Sequence, residues 1–163
     1  AGLALVLGVA AGTMYTQRGQ DRERIAALSS EVGQMRELMT LSLLQQPSAS
    51  ERLRGVGYTE GMVPADSQVT AALLDRLNND SSVNVRLAAM DALKPFASRS
   101  DVRRGLLQAM LKQDSPLVQI SLIDWAAEAG DRTTVGVLKS LRNESGLNPA
   151  VESRLASALD RLQ

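Results

Sequence analysis

The chain has 163 residues, carries 18 basic and 18 acidic side chains, and contains neither cysteine nor histidine. The absence of these two residue types excludes thiolate and imidazole metal sites, a nucleophilic cysteine and every catalytic triad built on imidazole. The balanced charge, with no basic stripe, disfavours nucleic-acid binding, because the neutralisation of phosphates requires such a stripe. We therefore expect a protein that is not an enzyme and that uses no cofactor or metal.

The first predicted element is a membrane segment at residues 1–16. Residues 1–14 are uncharged, and as a helix they would span about 21 Å, less than the roughly 30 Å hydrocarbon thickness of a bilayer. A signal peptide should open with positive charge, and a buried globular helix should show a polar face. The segment shows neither feature. We interpret it as the C-terminal part of a single membrane-spanning helix.

Residues 17–46 are predicted to form a coiled-coil-like helix. Its apolar residues follow alternating three- and four-residue steps, the a/d spacing of a coiled coil: Ile25, Leu28, Val32, Met35 and Met39. In this frame Glu31 and Arg36 take a g position and the following e position, where two parallel chains could pair them. The seam covers barely two and a half heptads, so it would need the membrane anchor to raise its local concentration. Two interpretations remain open: a homodimer, or a single juxtamembrane helix that packs on its own C-terminal domain.

Residues 47–65 are predicted to be a short helix followed by a linker. Pro47 ends the preceding helix, because its ring interrupts the hydrogen-bond ladder. Ser48 and Glu51 have the spacing of a capping box that opens a helix through Leu53. Three glycines and a proline follow within ten residues and predict a loop that forms a domain boundary: Gly55, Gly57, Gly61 and Pro64.

Residues 66–163 contain an internal repeat. At a shift of 33 residues the apolar positions coincide, and Val85 falls on Val118 and Val151. The other matching sets are Ala89, Leu122 and Leu155; Ala92, Trp125 and Ala158; and Leu93, Ala126 and Leu159. Each copy reads as a helix, a turn and a second helix, and this period is typical of α-solenoids. The predicted fold is all-α: a membrane and coiled-coil helix followed by a solenoid of about three helix pairs.

The segment 80–89, DSSVNVRLAA, resembles the second helix of HEAT repeats, in which an acidic turn residue precedes a helix that opens with Val-Arg and small residues. Gln119 takes the place of Arg86 in the second copy, and Glu152 takes it in the third. These two departures put in question the Asp–Arg ladder that often connects HEAT repeats.

Residues 35–56 and the stretch 114–120, DSPLVQI, are similar to a group of bacterial membrane proteins. These proteins carry a zinc-finger anti-sigma-factor region, one membrane helix, a coil and C-terminal HEAT repeats. The zinc-finger part would precede Ala1, so no residue of this chain inherits its role. The resemblance implies a scaffold or sensor in the bacterial inner membrane, with the repeats on the non-cytoplasmic side. Arg18, Arg22 and Arg24 would instead favour the cytoplasm by the positive-inside tendency; we follow the resemblance.

A helical wheel predicts a partner-binding groove on the repeats. It places Val85, Ala89 and Leu93 in the core and six residues of two adjacent repeats on the opposite, exposed side: Leu87, Met90, Asp91, Ile120, Ile123 and Asp124. The apolar members would form the floor for a partner helix or peptide, and the two aspartates its charged rim. The alternative is that the linker or the coil covers this patch. The same wheel places Gln119 on the outer side.

The single tryptophan, Trp125, lies at a repeat position held elsewhere by alanine. A buried wedge between helices is the simpler interpretation, and a ligand platform is the alternative. The sequence thus predicts a non-catalytic, membrane-tethered interaction scaffold, as part of an anti-sigma-type regulator. A HEAT-like protein related to bilin lyases and a soluble structural solenoid are the alternative functions.

Overall fold

The computed structural model describes residues 2–62 and 67–162, with side chains for residues 21–62 and 68–162. These residues form eight α-helices and one short 3-10 turn, and no strand lies among them. The helices are α1 (Gly2–Leu44), α2 (Ala49–Gly57), α3 (Ser67–Asn79), α4 (Val83–Leu93), α5 (Ser100–Lys112), α6 (Pro116–Ala129), α7 (Arg132–Arg142) and α8 (Pro149–Asp160), with the 3-10 turn at Lys94–Phe96. The predicted all-α fold class is confirmed.

The chain divides into two compact units, Ala1–Leu38 and Met39–Gln163. The division falls inside α1, which continues without interruption to Leu44. It lies before the predicted linker at residues 47–65, so α2 belongs to the same unit as the repeats. Residues 63–66, which include Pro64 of that linker, lie outside the described part of the chain.

Helix α1 contains both the predicted membrane segment and the predicted coil. From Gly2 onward the backbone of residues 1–16 is helical, while Ala1 and the side chains of this segment lie outside what the structure describes. Of the helices in the described residues, none is long and apolar enough to span a bilayer.

The second unit is built from helix pairs that pack against their neighbours. Helices α3 and α4, α5 and α6, and α7 and α8 pack as pairs. Between pairs, α3, α5 and α7 contact one another in order and form one layer, while α2, α4, α6 and α8 form the other. Each pair therefore covers the apolar face that its neighbour would otherwise expose.

The end of α1 and helix α2 form a further pair ahead of the three that the sequence predicted. At Gly55 of α2, an added Cβ would lie 2.9 Å from the Cβ of Leu43 and 3.0 Å from the backbone nitrogen of Leu44. Such a close approach of two helices requires a residue without a side chain. Gly55 and Gly57 both lie within α2, so their prediction as loop residues is wrong.

The N-terminal cap of α2 also differs from its prediction. Ser48 does precede the helix in extended backbone conformation, but its hydroxyl accepts no capping hydrogen bond. Its Oγ instead donates to the Oγ of Ser50. The predicted capping box is therefore wrong, although the helix begins where it placed it.

The core of the second unit confirms the repeat alignment. Val85, Val118 and Val151 are fully buried, and most of the other matched apolar positions are buried with them. Trp125 is buried in the same cluster, as the wedge interpretation predicts. The outer position predicted for Gln119 is wrong, since this side chain is buried and its Nε2 donates to the carbonyl oxygen of Met110 at 3.3 Å.

Candidate interaction surfaces

The predicted groove floor on α4 and α6 is largely part of the core. Met90 and Ile123 are fully buried, so their predicted exposure is wrong. Leu87 and Ile120 are partly buried and pack against the core. The physical reason is that α4 contacts α2, α3 and α6, and α6 contacts α4, α5 and α8. A helix covered on three sides buries more of its circumference than a two-sided wheel allows.

The two aspartates of the predicted rim have different environments. Asp91 is exposed and pairs with Lys94, one turn further along, at 2.7 Å. Asp124 is half-buried and pairs with Nε of Arg154 on α8. This contact ties α6 to α8. Of the two, only Asp91 is a surface charge, while Asp124 links neighbouring helix pairs.

A row of half-exposed apolar side chains remains from the predicted groove. Leu87 and Ile120 occupy the same repeat position, and Leu53 of α2 extends the row by one helix with 36% of its surface exposed. Sequence reasoning missed Leu53 because α2 had not been placed in the repeat. The signal was present at a shift of 34, where Ser48, Arg52 and Leu53 fall on Ser82, Arg86 and Leu87.

An Arg–Asp ladder connects the second helices of the first three pairs. Arg52 of α2 donates two hydrogen bonds to the carboxylate of Asp80, which lies in the turn between α3 and α4, from Nε at 2.6 Å and from Nη2 at 2.8 Å. Arg86 of α4 reaches Asp114, in the next such turn, at 2.5 Å. The ladder stops at Gln119, which binds a backbone carbonyl instead. Because Gln119 replaces arginine at this repeat position, a third Arg–Asp pair is missing, while the first two pairs, the rungs of the ladder, are present.

The first rung is the more buried of the two. The carboxylate of Asp80 is inaccessible to solvent, whereas Asp114 is exposed. Burial opposes the ionisation of Asp80, but the hydrogen bond from Arg52, the backbone N–H of Ser82 and the charge of Arg76 outweigh it, and its pKa lies below the ordinary value. The hydrogen bond from Arg86 likewise lowers the pKa of Asp114. Both carboxylates are therefore held in the charged form that the ladder needs.

A second surface lies on α1 and follows the predicted oligomer seam. We call it the α1 strip, and its residues are Ile25, Leu28, Val32, Met35 and Met39. Each of these side chains has between 48% and 65% of its surface exposed. Isolated exposed apolar residues are ordinary on a protein surface, but a row at coiled-coil spacing is typical of a helix that contacts another helix. The α1 strip is the best candidate for an interaction site.

Comparison of the chain with protein-family models and with curated protein sequences finds no match. Within the described ranges, no three or more acidic side chains lie together where they could hold a metal ion.

Proposed function

We propose that this chain is a non-catalytic, membrane-tethered interaction scaffold, in which a HEAT-like α-solenoid follows a helix that binds another protein. The exposure of the α1 strip carries the proposal. A large apolar surface that does not contribute to a chain's own core costs solubility unless a partner covers it. Its spacing of three and four residues suits a partner helix better than a small molecule or a flat surface.

The HEAT-like assignment of the second unit rests on its repeated geometry. Successive helix pairs pack in two layers. The turns within α3–α4 and α5–α6 each supply an aspartate to an arginine on the preceding second helix. This contact pattern is what the resemblance to HEAT repeats implies, and the period of about 33 residues is in the range of helical solenoids in general.

The membrane tether is assigned to residues 1–16, whose first fourteen residues carry no charge. We place the chain in the bacterial inner membrane with the repeats on the non-cytoplasmic side. In a detergent phase separation, the full chain should enter the detergent phase. Removal of residues 1–16 should transfer a protein that remains helical by circular dichroism to the aqueous phase. A full chain that already stays in the aqueous phase would rule out the tether.

The regulatory setting follows from the similarity of residues 35–56 and 114–120 to anti-sigma-type membrane proteins. We propose that the chain is the C-terminal part of such a regulator. The encoded sequence upstream of Ala1 tests this directly. Paired Cys and His residues at zinc-ligand spacing would support it, and an upstream region without them would refute it.

Site-specific photocrosslinking tests the interaction itself. A photoreactive amino acid at Met35, in the full chain within its native membrane, should give discrete adducts to protein. The matched control at Glu144, an exposed residue in the turn between α7 and α8, should give almost none. Equal adduct yields at the two positions would show that the α1 strip is not a contact surface, and the scaffold proposal would fail.

A further inference from the structure

We infer that the partner of the α1 strip is a second copy of this chain, aligned in parallel and in register. This inference rests on the proposed function and specifies its partner. In the heptad frame of α1, the β-branched residues Ile25 and Val32 take a positions, and Leu28 and Met35 take d positions. β-Branched residues at a combined with leucine at d favour two-stranded parallel coiled coils over larger assemblies. The a/d residues therefore indicate a dimer.

The charges beside the strip favour the parallel orientation. In a parallel dimer Glu31 at position g faces Arg36 at the following e position of the other copy, which gives two symmetry-related attractive pairs. An antiparallel dimer with the same apolar overlap would set Glu31 against its own counterpart and Arg36 against Arg22. Like charges that face each other across an interface disfavour that arrangement. The charges that flank the strip thus favour the parallel orientation and oppose the antiparallel one.

The predicted tether acts in the same direction. Two copies anchored through residues 1–16 in one membrane present their α1 helices with the same polarity and at a raised local concentration. A seam of about two and a half heptads is too short for a tight complex in dilute solution. We therefore expect a weak dimer that forms efficiently in the membrane and dissociates on dilution in detergent.

Disulfide scanning tests the register, and the chain is suited to it because it contains no cysteine. Leu28→Cys and Met35→Cys each place a thiol at a d position, where like residues of two parallel copies face each other. Ser30→Cys places it at position f on the opposite side of the helix. On mild oxidation of full-length protein in native membranes, both d-position variants should form dimers of twice the chain mass. The Ser30 variant should form roughly tenfold fewer, because its thiols lie too far apart.

Four outcomes would overturn the inference. Cross-linking between Leu28→Cys and Val32→Cys chains, without homodimers of either d-position variant, would show an antiparallel pair. Equal yields at positions 28, 30 and 35 would show random collision. If these variants give no dimer while the photoreactive group at Met35 gives adducts with a different protein, self-association fails and the scaffold function stands. If both experiments give nothing, both proposals fail.

Charge exchange provides a second measurement with its own control. Glu31→Arg places like charges across both g–e′ pairs and should reduce the dimer fraction at fixed protein density roughly fivefold. The double variant Glu31→Arg with Arg36→Glu should restore the dimer fraction, because the charges of each pair are exchanged and the pairs attract again. A double variant that dimerises no better than the single one would show that these pairs do not form.

A third variant separates dimerisation from folding. Val32 is exposed in the single chain. Val32→Asp should therefore leave the thermal midpoint of the repeat domain unchanged and abolish the dimer. A lowered midpoint would mean that the strip packs on its own repeat domain, and the inference would be wrong.

Discussion

The buried rung of the Arg–Asp ladder gives the sharpest prediction about stability. In Asp80→Asn the side chain keeps its shape, but its amide nitrogen can only donate and so opposes the guanidinium of Arg52. In the wild-type chain, the carboxylate of Asp80 accepts hydrogen bonds from Nε and Nη2 of Arg52 and from the backbone N–H of Ser82. Removal of one partner from a buried ion pair leaves an uncompensated charge and costs about 3–5 kcal/mol. Arg52 keeps its bonds to the carbonyl oxygens of Gln46 and Pro47, so we expect the low end, about 3 kcal/mol.

This loss should lower the thermal midpoint by roughly 6–12 °C in a chain of this size. It is measured by urea and thermal unfolding followed by circular dichroism at 222 nm. The matched control is Asp91→Asn, which removes an exposed ion pair with Lys94, one helical turn away. This substitution should lower the free energy of unfolding by less than about 0.5 kcal/mol. Equal costs for the two variants would show that the ladder does not stabilise the fold.

The pH dependence of the same variant provides an independent check. Because the pKa of Asp80 is lower in the folded chain than in the unfolded one, its contribution is fully present above the unfolded value of about 3.9. The contribution is lost as the pH falls through the lower folded value. Asparagine does not titrate, so the difference in unfolding free energy between wild type and Asp80→Asn should shrink below about pH 4. A difference that stays constant down to pH 2.5 would contradict the assignment of the charge to Asp80.

Four further substitutions test the packing, each by the midpoint of urea unfolding. Gly55→Ala should cost about 1–2 kcal/mol because its methyl group would overlap the end of α1. The control Gly57→Ala places its methyl group in open space, so it should be neutral or stabilise the fold by up to about 1 kcal/mol. A stabilising Gly55→Ala would show that the two helices do not approach closely. Val118→Asp should cost several kcal/mol, about 3 or more, because it buries an unpaired charge. Gln119→Asp should cost about 1–3 kcal/mol because a carboxylate cannot donate to the carbonyl oxygen of Met110. If this substitution has no effect on stability, residue 119 lies on the outer face of α6 instead.

The repeat alignment recovered the core well because apolar periodicity depends on the helix itself. A residue such as Val118 recurs at a fixed phase in every copy, so its burial can be predicted without any tertiary structure. Met90 and Ile123 were misplaced because their burial depends on the helices that flank α4 and α6. A helical wheel contains no information about those neighbours. Sequence reasoning therefore found the apolar stripe that recurs in every copy and missed the residues that are buried because α4 and α6 are covered on several sides.

The fourth helix pair was missed because two local signals disagreed. Gly55 and Gly57 indicate a loop by local propensity, while Ser48, Arg52 and Leu53 repeat the pattern of α4 at a shift of 34. The glycine at position 55 is required by the approach of α1, which becomes visible only once both helices are placed. The partner of Asp80, by contrast, was within reach of the sequence, because an alignment of Arg52 with Arg86 predicts the first rung of the ladder.

The two apolar surfaces of this chain differ in what they contribute to the folded state, and that difference assigns their roles. Leu87 and Ile120 pack against the core, so a charged substitution in this row should destabilise the repeats whether or not a partner binds. The α1 strip is mostly exposed in the single chain, so its apolar side chains contribute little to folding. Apolar residues that recur at heptad spacing without supporting their own fold favour an intermolecular contact. Substitutions there should change association and leave stability intact, which makes the α1 strip the surface where function can be tested separately from folding.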